Sequence, residues 1–261
     1  MWVRGVLLLS VLAACVLAAG SSDGYANPKD NGGKPITATK EPLNVIISGK
    51  SDKYVLSSDG FASYYRAIGF AVGSCLGLSS NDTQKADLGD GNGNNPQAGI
   101  AREGEGQGCN ESLHGGNHFR YWFQNGTKAN TNAVFIAASV ELPIKQDHMI
   151  AKNGYDAGRD QLVGNATQGT KTDKETGNQF KTNVVKDDTT LLKGISASDL
   201  NHKIGTDGKV KVLQVQLVKR GKGNQQQHIN NGQTGIAAQL SNTPWLALAV
   251  LAALAPTALF L

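Results

Sequence analysis

Apolar residues crowd the two ends of the chain and are spaced out between them. Residues 1–20 carry one positive charge (Arg4), an apolar run from Val6 to Leu17, and then Ala18-Ala19-Gly20. That order is the anatomy of a secretory signal, and the run is too short to span a bilayer. Residues 244–261 are almost wholly Leu, Ala, Val and Phe. The small residues Asn230, Asn231 and Gly232, a spacer and this apolar tail follow the layout of a removable signal for a GPI lipid anchor. A retained tail anchor is the alternative. Both readings place the chain outside the cell, at a membrane surface.

Between the ends the pattern changes period several times. Residues 43–47 (Leu-Asn-Val-Ile-Ile) are short and β-branched and are ended by Ser48-Gly49, which predicts a buried strand. Phe61, Tyr64, Tyr65 and Ile68 recur at helical spacing, with Asp59 as the expected cap and Gly69 as the expected left-handed stop. Residues 118–123 alternate: Phe119, Tyr121 and Phe123 share one face of a strand, and His118, Arg120 and Trp122 share the other. Residues 134–141 read as its pairing strand, stopped by Pro143. Asn153 is positioned to cap a second helix carrying Tyr155, Arg159, Leu162, Val163 and Ala166 on one side. Strands are predicted over 180–185, 190–195 and 209–219. The last enters from a Thr206-Asp207-Gly208 turn, with a bulge where the apolar phase slips between Val212 and Leu213.

These elements predict one α+β domain over residues 41–220, a mixed or antiparallel sheet packed by two short helices. Residues 21–40 read as a flexible lead-in and 221–243 as a polar stalk and spacer. Residues 78–108 are rich in Gly, Asn and Asp, with too few apolar positions for a core element. Cys75 and Cys109 bound that loop, and in an oxidising compartment they most simply form one disulfide. Sequons begin at Asn81, Asn110, Asn125 and Asn165, as suits a secreted glycoprotein. The net charge of +4 includes no dense Lys/Arg block, so nucleic acid is not an expected partner.

Chemistry is sparse. No nucleophile elbow, phosphate-binding loop or dinucleotide fingerprint is present. Asp87, Asp90 and Asn92 offer oxygens at alternate positions as calcium loops do, although the glutamate and glycine of an EF-hand are missing and a solvated loop is the plainer reading. No other cofactor or metal is expected. His118 and Arg120 beside Trp122 form a strand face that is costly to bury without purpose. With Arg159 they are the candidate binding residues. His118, His148, Glu141 and Asp160 are the candidate catalytic set. Arg159 is expected to point inward, taking Glu141 or a nearby acid as partner in a cluster lined by His118 or His148.

The order of the 43–49 strand, His118-x-Arg120-x-Trp122, the 134–141 strand, His148 and Asp156-Ala157-Gly158-Arg159-Asp160-Gln161-Leu162 resembles the LssY C-terminal domain of bacteria, which is often attached to lipid phosphatases. The whole chain, including residues 116–122, also resembles uncharacterised secreted proteins of fungi. Neither resemblance implies an activity. The phosphatase's own histidine and arginine motifs are absent, and the Cys75–Cys109 loop and everything after Thr167 depart from the bacterial pattern. The favoured expectation is a binding or structural module at the cell surface, with wall polymer or lipid headgroup as ligand. The alternative is a hydrolase-like enzyme using the His/Glu/Asp set.

Overall fold

The computed structural model describes residues 22–72, 83–104 and 109–222. Its sheet has eight strands: β1 (Val45–Ile47), β2 (Phe70–Ala71), β5 (Gly99–Glu103), β6 (Gly116–Asn125), β7 (Asn130–Glu141), β8 (Thr170–Thr172), β9 (Gln179–Asp188) and β10 (Val210–Lys219). They lie in the order β2-β5-β6-β7-β1-β10-β9-β8, and every pairing is antiparallel except β1 with β10. A separate hairpin pairs β3 (Lys85–Asp87) with β4 (Asn94–Pro96). The mixed sheet and single α+β domain agree with the sequence reading. The described residues contain three α-helices, α1 (Ser58–Ala67), α2 (Cys109–His114) and α3 (Gly154–Thr167), where two were expected.

β1 sits mid-sheet, and all three of its residues are buried, Val45 and Ile47 on one face and Ile46 on the other. A strand covered on both faces needs an unbroken apolar run, and Val-Ile-Ile supplies it. On the first face, Phe119 and Tyr121 meet Phe61, Tyr64 and Tyr65 of α1 and Leu162, Val163 and Ala166 of α3. Phe61 and Tyr121 pack with their rings tilted by 59° and centroids 4.7 Å apart. The second face buries Ile46, Trp122, Phe135 and Ala137 beneath Tyr25, Leu43, Ala86, Leu88, Leu191 and Leu192.

Several boundaries differ from the sequence reading. Residues 22–40 are packed against the domain rather than flexible, with Tyr25 buried and its hydroxyl donating to Asp188 at 2.5 Å. The 78–108 stretch contributes three strands. Ala86, Leu88, Ile100 and Ala101 turn inward from this stretch, while Ala98 is exposed. Residues 190–195 form turns, because Asp188 accepts the N–H groups of Thr190 and Leu191 and bends the chain away from the sheet. The cap of α1 is Ser57, whose hydroxyl accepts from Gly60 N–H, not Asp59. Gly69 takes the expected left-handed conformation. Asn153 precedes α3 but is itself left-handed and makes no side-chain cap. The bulge between Val212 and Leu213 is where the phase slip predicted it. Cys75, Asn81, the signal, the stalk beyond Lys222 and the tail lie outside the described residues.

Candidate functional site

The strand alternation read from residues 118–123 places His118 and Arg120 on the face opposite Phe119 and Tyr121, and neighbouring strands add to that face. Arg102 of β5 and Ser139 of β7 lie directly opposite His118, one on each side. Glu141, two residues beyond Ser139, shares their face. The chain then doubles back: Leu142 N–H donates to the Met149 carbonyl at 2.8 Å and Ala151 N–H to that of Val140 at 2.9 Å. Asp147 and His148, inside this return, have φ of 58° and 54°. Two successive left-handed residues without glycine cost about 1–2 kcal/mol each. That backbone carries the His148 ring over Glu141. From the other side α2 covers the strands and lays Glu111 against Gly116.

The result is a buried cluster in which the groups contact one another. Glu141 Oε2 lies 2.7 Å from His148 Nδ1, and its Oε1 lies 3.5 Å from His118 Nε2. His118 Nε2 is also 3.1 Å from Arg120 Nη1. A guanidinium only donates, so this imidazole nitrogen carries a lone pair. His148 Nε2 faces the Ser112 carbonyl at 3.1 Å and donates to it, for the converse reason. Arg102 Nε pairs with Glu111 Oε2 at 2.9 Å. Arg120 Nη1 reaches Glu41 Oε1 at 3.6 Å, and that oxygen accepts from Gln84 Nε2 at 2.9 Å.

Electrostatics follow from burial. Burial and the nearby Arg120 and Arg102 guanidiniums hold the His118 imidazole well below its ordinary pKa, so it is neutral. Burial, then repulsion from Glu111, pushes the Glu141 carboxyl up to about 7 against the pull of His148 and Arg120. Burial also raises Glu111, with Arg102 opposing. Three acids (Glu41, Glu111, Glu141) face two guanidiniums (Arg102, Arg120). Glu41 Oε2, Gln84 Oε1, Glu111 Oε1, Arg120 Nε and Ser139 Oγ are buried without a hydrogen-bond partner. Most buried polar atoms in proteins have a partner, so these are exceptions, and they belong to one cluster.

The sequence-predicted residues divide. His118, Glu141, His148 and Arg120 converge. Asp160 does not: it is exposed and pairs with Arg159 Nε at 2.8 Å. Arg159 points inward as expected, but its partners are Asp156, Asp160, Asp207 and the Lys209 carbonyl rather than Glu141. The single expected cluster is two, because the 206–209 turn reaches α3 and supplies Asp207 first. Trp122 is core, its indole N–H donating to the Asn95 carbonyl at 3.2 Å. Asp90 organises its loop: its carboxylate accepts the backbone N–H groups of Asn92, Asn125 and Gly126 and the Asn92 side chain. Asp87 accepts from Gly89 N–H. Asn110 and Asn125 are exposed; Asn165 is half-buried and donates to Glu103 at 3.3 Å.

Sequence reasoning missed Glu111, Arg102 and Glu41. Glu111 rides a helix of six residues with no periodicity to read, and Arg102 follows a single β-branched residue in a glycine-rich stretch. No protein family, curated protein or solved structure compared with this chain matches it.

Proposed function

We propose that this chain is a secreted, membrane-tethered surface glycoprotein whose domain performs hydrolysis at the Glu141–His148–His118 cluster. The observation that carries the reading is the placement of Glu141 between two imidazoles, with two guanidiniums in the same buried cluster. Glu141 and His148 hold and orient a water. Glu141 Oε1, on a carboxyl that burial pushes up to about 7, accepts the proton that water loses, while neutral His118 accepts from Arg120 through Nε2 and holds that guanidinium in place. Arg120 and Arg102 stabilise the negative charge that develops on the substrate. Exposed apolar side chains at Leu113, Ile144 and Met149 flank the residues of the cluster and suit a substrate with an apolar portion. A disulfide from Cys75 to Cys109 fits this reading, because it would brace the start of α2 and hence Glu111. A ligand-binding module without chemistry is the second reading, favoured by the complete burial of His118.

A panel of ester and phosphoester substrates tests the choice. Glu141→Gln and His148→Ala should each lower turnover about 10²–10⁴-fold, the usual weight of a positioned acid–base group. Asp160→Asn should leave turnover intact. Turnover by no member of the panel, or equal turnover by Glu141→Gln, would leave the binding module as the better account.

A further inference from the structure

Glu111 comes from α2, Glu141 from the end of β7 and His148 from the return that follows it, and each offers one ligand atom, all within 4.8 Å of one another. Two carboxylates and one imidazole form a mixed oxygen-and-nitrogen set of the kind that holds a divalent transition metal. Three further features point to a ligand rather than to a structural salt bridge. Glu111 is 1% exposed, yet its Oε1 has no partner. Its other oxygen is held by Arg102, which fixes the carboxylate without saturating it. Finally, His148 donates through Nε2 to a backbone carbonyl and turns Nδ1 inward, the outer-shell arrangement that orients a metal-ligating histidine.

We propose that Glu111, Glu141 and His148 bind one zinc ion. The inference rests on reading this cluster as the reactive centre and names the group that would hold its water. The 2.7 Å separation of Glu141 Oε2 from His148 Nδ1 suits a shared proton. Two ligands on a tetrahedral zinc stand about 3.3 Å apart, given bonds of about 2.0–2.1 Å. The ion therefore displaces that proton and spreads the pair by roughly half an ångström. Three protein ligands leave a fourth position open, as hydrolytic zinc sites require. The ion's charge also offsets the excess of three acids over two guanidiniums.

The test uses the full chain, made in a secreting host, stripped with a chelator and titrated with zinc by calorimetry. One ion per chain is expected. Glu111→Gln and His148→Ala should each weaken binding more than about 100-fold, beyond the 10–100-fold that outer-shell changes cause. Cobalt in the unmodified protein should give the d–d absorption of a mixed nitrogen-and-oxygen site, which decides the matter even if a variant fails to fold. Zinc binding that survives both substitutions, or a wild-type chain that takes up neither ion, would overturn the proposal. Its outcome is separable from that of the hydrolase reading: zinc bound without turnover removes the latter alone, and turnover without zinc removes the former alone.

Discussion

Arg120 and Arg159 are both buried cations, yet they have different roles. Arg159 is 2% exposed at its side chain and saturated: Asp160, Asp207, Asp156 and a carbonyl take its N–H groups, and those partners hold its pKa above the ordinary value although burial pulls the other way. Arg120 leaves Nε without a partner beside His118. The completed set of hydrogen bonds at Arg159 fits a structural ion pair, and the incomplete one at Arg120 fits the proposed site. Arg159→Ala should therefore cost stability, about 2–3 kcal/mol, somewhat below the usual penalty for breaking a buried pair because Asp160 and Asp207 can rehydrate. A urea unfolding curve measures that loss, and zinc affinity should be unchanged in the folded variant. The inward direction of Arg159 and the strand face that Arg120 shares with His118 were legible, because helix and strand periods are local properties. Their partners were not, because Asp207 and Glu41 arrive from elements that no local period connects to them.

The elements that carried a clear period were found within a few residues: β1, α1, β6, β7, α3 and the bulged β10. Those missed were short. β5 and α2 bury only a few side chains each and are held in place by what they pack on, so no amphipathic pattern needed to be written into them. They carry Arg102 and Glu111, which is why half of the site was invisible beforehand. Packing of α3 on β7 shows the opposite case, a contact so close that one residue type is demanded. A Cβ at Gly158 would stand 2.5 Å from the Ser139 Cα and 2.6 Å from its nitrogen, backbone that cannot swing aside. Gly158→Ala should lift the helix from the strand and destabilise by about 1–3 kcal/mol, the usual cost of overpacking. Chemical denaturation reads the loss. Because Ser139 lies opposite His118, the same variant should also bind zinc less tightly.

At the scale of the whole molecule, the α+β class and single domain could be read from the succession of periods, but the strand order could not. Nothing in Val-Ile-Ile says that its neighbour on one side will be β7 and on the other the last strand of the domain. The membrane tether is a proposal separate from the fold, read from the apolar ends of the sequence. A phospholipase specific for GPI anchors should release the protein from intact cells, and an antibody against residues 251–261 should not stain the mature form. Persistent staining would mean a retained apolar tail. The pairing of Val45 with Lys211 also has a consequence for biosynthesis. If the chain is secreted as proposed, it emerges into the lumen from its N-terminus, and β1 waits, one flank unpaired, until β10 has been delivered. On that proposal the sequons at Asn110, Asn125 and Asn165 would pass the glycosylation machinery during that wait, as stretches of a domain whose sheet is still open. Sugar addition at Asn165 would then be governed by the order of synthesis rather than by the half-buried position it finally occupies, and a glycan placed there would have to be accommodated by α3 as the sheet closes.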